Sequence, residues 1–245
     1  MPSETTEHPD TAPVNGYEAR WERHNSERQT RILTAATELV EERPAGADIS
    51  IQDIADHAGL AKSVVYRQFG GREDLDRRVR SHALAELADV LDSAMNISTG
   101  TPSEILSRTI TAVAVWITDR PRIHEFMATG PTDYDDGSLD AISSLKSRIA
   151  RSAQTIIAGA CASVGVPFAP FASLPFAVVT MVEGTLTRWS RSPEPKPTRE
   201  EIVTDLTNFS WYMLAGVARS SGITIDPDSE LSSLLARFST PGEEH

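Results

Sequence analysis

The stretch IQDIADHAGLAKSVVYRQFGGREDL, residues 51–75, decides the fold of the N-terminal part of this chain. Ser50 directly before it and Asp53 three residues later form a capping-box pattern that marks the start of a helix. Gly59 suits the end of that helix because glycine tolerates a left-handed backbone. A second short helix, from about Lys62 to Gln68, follows almost at once. Two short helices joined by about three residues around a glycine are the local pattern of a helix-turn-helix.

The second helix of this pair has an apolar face and an outward face. Val65 and Phe69 are four residues apart and share a face, which we expect to pack against Ile54 and Ala58. Tyr66 fits either the core or the surface. The side chains predicted to point outward near the start of the helix are Lys62, Ser63, Val64 and Arg67. Because a recognition helix places its N-terminal residues in the major groove, we predict that this face contacts DNA.

The same stretch resembles the helix-turn-helix motif of the TetR family of transcriptional regulators. The matching elements are Asp53-Ile54-Ala55, Ala58-Gly59, Tyr66, Phe69, and Glu73 with Leu75. The specific resemblance covers about residues 28–80, and beyond them it rests on the number, lengths and order of the helices. One position departs from the family pattern, because Ala61 stands where a Ser or Thr cap is frequent. Losing such a cap typically costs about 1 kcal/mol.

The resemblance implies a set of DNA-binding residues, namely Lys62, Ser63, Val64, Tyr66, Arg67 and Arg72. Val64 can touch a thymine methyl group, whereas Arg67 can donate to guanine, to a phosphate or to neither. Lys62, Ser63 and Tyr66 suit phosphate contacts, which position the module without reading sequence. Arg72, where the family usually has a lysine, can meet a phosphate beside the free amides of its helix. Arg77, Arg78 and Arg80 form either a basic patch or a solvated face, and the nearby acids favour the latter.

The charge distribution is compatible with DNA binding despite a net charge of −12. Residues 20–80 contain 11 Lys and Arg and 11 Asp and Glu, so the acidic excess lies in the rest of the chain. The single cysteine, Cys161, excludes an internal disulfide and offers no metal-type spacing. Sequence predicts neither a signal peptide nor a membrane-spanning run, so we expect a cytoplasmic protein.

The pattern along the whole chain predicts an all-α fold. It consists of an N-terminal three-helix helix-turn-helix domain, residues 20–80, and a helical effector-binding and dimerisation domain, residues 81–240. Residues 1–19 lack apolar periodicity and are predicted to be a disordered arm. Apolar periodicity starts at Asn25, and Ser138 is the expected cap of a long helix. No alternating strand pattern competes with this interpretation.

The family resemblance also implies functions for the C-terminal helices. The last two long helices, about residues 173–191 and 198–220, are expected to form a homodimer that binds a pseudo-palindromic operator in double-stranded DNA. The middle helices are expected to enclose a small, largely apolar effector, which modulates operator binding and most often relieves repression. The candidate ligand-binding residues are Trp116, Phe126, Met127, Phe176, Thr180 and Glu183. The alternative is a DNA-binding dimer whose C-terminal domain binds a protein or only dimerises.

An enzyme is not predicted. The chain has no nucleophile elbow, phosphate loop, dinucleotide fingerprint or His-Glu-x-x-His motif, and no catalytic residue or cofactor is expected. The run from Asp133 to Gly137 resembles a calcium loop only superficially, because its glycine comes one place early and no Glu closes the loop. His57 and His124 lack a second ligand at metal spacing, so no metal site is expected.

Overall fold

The computed structural model describes residues 16–44, 47–133, 140–192 and 197–226. Within these ranges the chain is helical and contains no strand, which confirms the all-α prediction. The α-helices are α1 (Gly16–Glu42), α2 (Ile51–His57), α3 (Lys62–Gln68), α4 (Arg72–Ala94), α5 (Pro102–Asp119), α6 (Pro121–Met127), α7 (Ala141–Ser163), α8 (Leu174–Ser190) and α9 (Arg199–Ser220). One short 3₁₀ helix, Ala169–Phe171, precedes α8.

Helices α1 to α3 and the first half of α4 enclose the N-terminal core. Ile32 on α1, Ile54 on α2, Val65 on α3 and Leu75 on α4 are buried together. Phe69, which follows α3, joins them at 5% exposure, so the predicted packing of Val65 and Phe69 against α2 is confirmed. Burying these aliphatic and aromatic side chains fixes α3 across α2 and determines which face of α3 remains outside.

The turn between α2 and α3 forms as its sequence predicts. Ser50 and Asp53 make both hydrogen bonds of the capping box at the start of α2. Gly59 has a φ of 63°, and its amide donates to the Asp56 carbonyl. The next amide, of Leu60, donates to the Ala55 carbonyl at 2.8 Å, which completes a Schellman motif. A side chain with a β-carbon is strained in this left-handed conformation, so the turn favours glycine.

Helices α4 to α9 enclose a second core. Leu87 and Leu91 of α4, Ile117 of α5, Leu186 of α8 and Leu206 of α9 are buried in it. The closest packing partners in this half are α5 with α9 and α7 with α8. Helix α4 belongs to both cores, because its N-terminal half packs in the first and its C-terminal half in the second.

Two helix starts differ from the sequence prediction. Helix α1 begins at Gly16, ahead of the predicted Asn25, and therefore includes four residues of the expected arm. The segment 16–24 contains two Glu, two Arg and one Ala, which favour helix without any apolar periodicity. The rest of the predicted arm, residues 1–15, lies outside the described residues. The cap of α7 is Asp140, whose side chain accepts from the Ser143 amide, and the predicted cap Ser138 lies outside the described residues.

Candidate nucleic-acid interface and internal cavity

Helix α3 presents an exposed polar face on the surface of the N-terminal domain. Lys62, Ser63 and Arg67 are exposed, and Val64 is half-buried beside them. Tyr66, for which the sequence allows either a core or a surface position, is 54% exposed and therefore lies on the surface. The ammonium group of Lys62 lies 5.9 Å from the centre of the Tyr66 ring. Five of the six predicted DNA-binding residues thus share one side of the module.

Hydrogen bonds and packing hold α3 in place from its inner side. The Gln68 amide nitrogen donates to the Asn25 side-chain oxygen at 2.6 Å, which ties the end of α3 to α1. Asp74 of α4 accepts from the Gly70 amide at 2.8 Å, and this bond lowers the pKa of its carboxyl group. The N-cap Ala61 makes no side-chain hydrogen bond, as its residue type dictates.

Arg72, the sixth predicted DNA-binding residue, is bonded within its own domain. Its Nε donates to Asp76 at 2.8 Å, and a second nitrogen donates to the carbonyl of Ile49. Asp48 lies 3.7 Å from the same guanidinium. The carboxylates of Asp48 and Asp76 thus balance the positive charge of Arg72. The Arg72 side chain joins the start of α4 to the segment before α2.

The other α4 arginines contact carboxylates and the loop after α6. Arg77 donates to Asp74 at 2.5 Å and to Asp133 at 2.6 Å, while Arg78 donates to Asp74 at 3.3 Å. These pairs agree with a solvated, charge-balanced face. Arg80 instead lies over the Phe126 ring, 4.7 Å from its centre.

Helix α6 is bound at both ends by side chains of the N-terminal domain. Glu41 of α1 accepts from the Ile123 amide in the first turn of α6 at 3.0 Å. At the other end, Arg80 donates to the carbonyl of Phe126 and to the hydroxyl of Thr129, both at 3.3 Å. Burial lowers the pKa of the Arg80 guanidinium. The position of α6 is therefore coupled to those of α1 and α4.

An elongated cavity of about 350 Å³ lies inside the C-terminal half. Its wall is built by α5, α7, α8 and α9, with contributions from residues 95–97 and 223–225. The volume falls in the range of roughly 300–1,000 Å³ typical of small-molecule sites. The lining is mostly aliphatic, as at Val113, Ile149, Ile156 and Val178. Cys161 also lines it, and burial raises the pKa of its thiol.

A group of polar side chains lies at the α6 end of this cavity. Lys146 of α7 and Glu183 of α8 both line it, with Nζ and Oε2 3.4 Å apart. The Thr187 hydroxyl donates to the other Glu183 oxygen at 2.8 Å. Behind Glu183 lies His124 of α6, 3.9 Å away, with its ring edge-on to Trp116. Burial is the largest effect on His124 and lowers its pKa, although the Glu183 charge opposes the shift.

Of the six predicted ligand-binding residues, Glu183 lines the cavity and the other five do not. Trp116 and Met127 are buried core residues, and Phe126 packs beneath Arg80. Phe176 is 50% exposed and Thr180 is exposed, both on the outer face of α8. The wall consists mostly of aliphatic residues, whose helical spacing is the same as that of ordinary core residues.

The outer faces of α8 and α9 carry an apolar surface, which we call the α8–α9 surface and define by Phe176, Gly184, Phe209, Tyr212 and Gly216. The two phenylalanines are each 50% exposed and Tyr212 is 65% exposed. At both glycines an added β-carbon would meet nothing within 4 Å. By length and composition alone, Ala169–Ser190 resembles a membrane span, but only 28% of its apolar window is buried and the match is weak. It does not indicate a membrane protein.

The described geometry is that of a helix-turn-helix protein whose C-terminal helices enclose a cavity. Residues 32–79 match the sequence model of bacterial regulatory proteins of the tetR family. Two proteins of Mycobacterium tuberculosis, from strains CDC 1551 / Oshkosh and H37Rv, are each 24% identical over 220 residues. The alignments cover 86% of this chain and 88% of each relative, and both relatives are named uncharacterized HTH-type transcriptional regulators.

Residues 32–79 therefore carry the helix-turn-helix domain of the TetR family of transcriptional regulators, and the chain is similar over most of its length to HTH-type transcriptional regulators. Members of the family regulate transcription by binding DNA operators and are not enzymes. Two solved structures share the fold. A tetR-family regulator from Streptomyces coelicolor has a TM-score of 0.60 at 20% identity, covering 87% of this chain and 88% of its own. A TetR-like regulator from Rhodococcus sp. RHA1 has a TM-score of 0.50 at 16% identity, covering 77% and 96%.

Proposed function

We propose that the protein is a homodimeric, cytoplasmic repressor that releases a pseudo-palindromic operator when an apolar small molecule fills the cavity. Residues 20–80 act as the DNA-binding domain and residues 81–240 as the effector-binding and dimerisation domain. The observation that carries the proposal is an aliphatic cavity whose polar end adjoins α6, the helix held by the DNA-binding domain.

The exposed face of α3 supports the DNA-binding part. Lys62, Ser63 and Tyr66 contact phosphates, while Val64 and Arg67 reach base edges in the major groove. The inner bonds of α3 keep this face rigid, so little ordering is needed when DNA binds. Arg72 serves mainly to join α4 to the rest of the domain, because its charge is already opposed by Asp48 and Asp76.

The α8–α9 surface supports the homodimer. Large apolar side chains that remain half exposed on a single subunit favour burial against a partner. The open glycines Gly184 and Gly216 allow two helices to approach closely. A two-fold dimer places two copies of α3 in successive major grooves and doubles the number of bases contacted.

The contacts of α6 supply a route from effector to DNA. An effector that moves Glu183 changes the position of its neighbour His124 on α6. Helix α6 then shifts against Glu41 and Arg80, and with it the orientation of α1 and α4. The effector changes operator affinity only to the extent that it binds the two arrangements unequally.

The first experiment is selection of bound sequences from random duplex DNA by the purified protein. We expect an inverted repeat with half-sites about one helical turn apart. That operator then serves to screen apolar compounds for release. A folded protein that enriches no sequence at low salt, with or without added compounds, contradicts the proposal. An operator whose binding no apolar compound changes contradicts the effector part and favours a protein partner or a dimerisation role alone.

A further inference from the structure

We infer that the cavity binds a single aliphatic chain ending in an uncharged headgroup that both donates and accepts hydrogen bonds, such as a hydroxyl, seated between Lys146 and Glu183. This inference rests on the proposed effector function and names the chemical class of the ligand. The evidence comes from the shape of the cavity, the chemistry of its wall and the charge balance at its polar end.

The shape favours a chain over a ring system. Lining residues on α7 run from Leu145 to Ser163, which corresponds to about 27 Å at a rise of about 1.5 Å per residue. A volume of about 350 Å³ spread along that length makes a narrow channel. An extended hydrocarbon can follow such a channel along its aliphatic wall and gain dispersion contacts over its whole length.

The chemistry of the wall favours an unsubstituted hydrocarbon. The hydroxyls of Thr109, Ser163 and Ser210, which also line the cavity, are bonded to carbonyl groups of their own helices. Their protons are therefore already used. A carbonyl or ether oxygen along the chain would lose its water without gaining a donor from these hydroxyls, at a cost in binding free energy.

The charge balance at the polar end favours an uncharged headgroup. The side chains of Lys146 and Glu183 are only 21% and 20% exposed, and together they form a neutral pair. A carboxylate that pairs with Lys146 would leave Glu183 without its cation, and an ammonium at Glu183 would leave Lys146 without its anion. A hydroxyl inserted between them donates to Glu183 and accepts from Lys146, so both charges stay partnered.

The test compares three probes of one chain length, namely decanol, decanoate and decylammonium, by titration calorimetry on the purified full-length protein. We expect decanol to bind at least about tenfold more tightly than either charged probe, equivalent to about 1.4 kcal/mol. Glu183→Gln is expected to shift the preference towards decanoate, and Lys146→Met towards decylammonium. Arg148→Met is the matched control, because Arg148 lies on α7 but pairs with Asp92 outside the cavity.

The outcomes separate this inference from the proposed function. Tightest binding of a charged probe by the unaltered protein overturns the inference, as does failure of all three probes to bind. An Arg148→Met effect equal to that of Lys146→Met also overturns it. Selective decanol binding that leaves operator affinity unchanged supports the inference but contradicts the effector function. Operator release by a compound of another shape, with no binding of the three probes, supports the effector function but overturns the inference about the ligand class.

Discussion

The carboxylate of Glu41 on α1 accepts a hydrogen bond from the backbone amide of Ile123 on α6, with 3.0 Å between Oε2 and N. The N-cap of α6, Arg120, provides no side-chain cap, so a residue of the DNA-binding domain supplies this acceptor instead. The bond joins the helix-turn-helix part of the chain to the C-terminal helices at a helix end, where unpaired amides also carry partial positive charge.

Removing this acceptor is expected to weaken the coupling between the halves. Glu41→Ala should lower the free energy of unfolding by about 1 kcal/mol, the usual value for a lost cap. It should also reduce the ratio of operator affinities measured without and with the effector. Glu42→Ala, at an exposed neighbouring position, is the control. An unchanged ratio in Glu41→Ala contradicts the proposed route through α6.

Substitutions on α3 should separate DNA binding from folding. Lys62→Ala should weaken binding to all sequences and reduce the salt dependence by roughly one phosphate contact. Tyr66→Ala should also weaken binding to specific and random DNA alike, with no change in the folded dimer. Phe69→Ala instead removes a core side chain and should cost about 3–5 kcal/mol of stability. Normal operator binding by Tyr66→Ala would show that the recognition helix is misassigned.

A charge placed on the α8–α9 surface should separate the subunits. An added β-carbon at Gly184 meets no atom within 4 Å, so we expect the Gly184→Glu monomer to fold, but the carboxylate would be buried at the proposed dimer interface. Sedimentation is expected to show monomers, with a matching loss of operator affinity. An added β-carbon at Gly159 on α7 is equally free of contacts, and Gly159→Glu should leave the dimer intact. A stable Gly184→Glu dimer contradicts the proposed interface.

Filling the channel should abolish effector binding without loss of DNA binding. Ala153 lines the cavity on α7, and Ala153→Trp places an indole across it. The variant should bind the operator normally and no longer respond to decanol. Thr155→Trp adds the same bulk to an exposed position of α7 and should respond like the unaltered protein. Decanol-induced release that persists in Ala153→Trp shows that the relevant site lies elsewhere.

His124 should make the stability fall in mild acid. Burial lowers its pKa below the ordinary value of 6.5, so the unfolded chain takes up a proton more readily than the folded one. The contribution of His124 to the free energy of unfolding should therefore be constant above about pH 6.5. It should decrease as the pH drops towards the lowered pKa. Urea unfolding of His124→Gln should show a smaller decrease, whereas His57→Gln should retain it. The pKa values of Asp53 and Asp74 are also lowered, but from 3.8, so their effect belongs to stronger acid.

Sequence was sufficient where the determining interactions are local. The Ser50–Asp53 box, the turn at Gly59 and the buried pair Val65 and Phe69 all depend on residues within a few positions of one another. The start of α1 at Gly16 was not predicted, because this part of the helix depends on helix propensity and has no apolar periodicity.

The family resemblance implies a cavity, but the residues that line it could not be predicted, for a geometric reason. Ile149 and Ile117 are both aliphatic residues on amphipathic helices, yet one lines the channel and the other packs in the core. The difference depends on which helix lies opposite, which no single helix encodes. The aromatic candidates Trp116, Phe126 and Phe176 do not line the cavity, whose wall is mostly aliphatic.

The buried Cys161 has a practical consequence for measuring the movement of the DNA-binding domains. It is the chain's only thiol, it is enclosed in the cavity wall, and burial keeps it protonated by raising its pKa. Water-soluble labelling reagents react with accessible thiolates, so we expect them not to modify Cys161. A cysteine introduced at exposed Gln52 would then carry one spin label per chain in the otherwise native protein. In the proposed dimer, the distance between the two labels can be measured before and after the proposed effector is added.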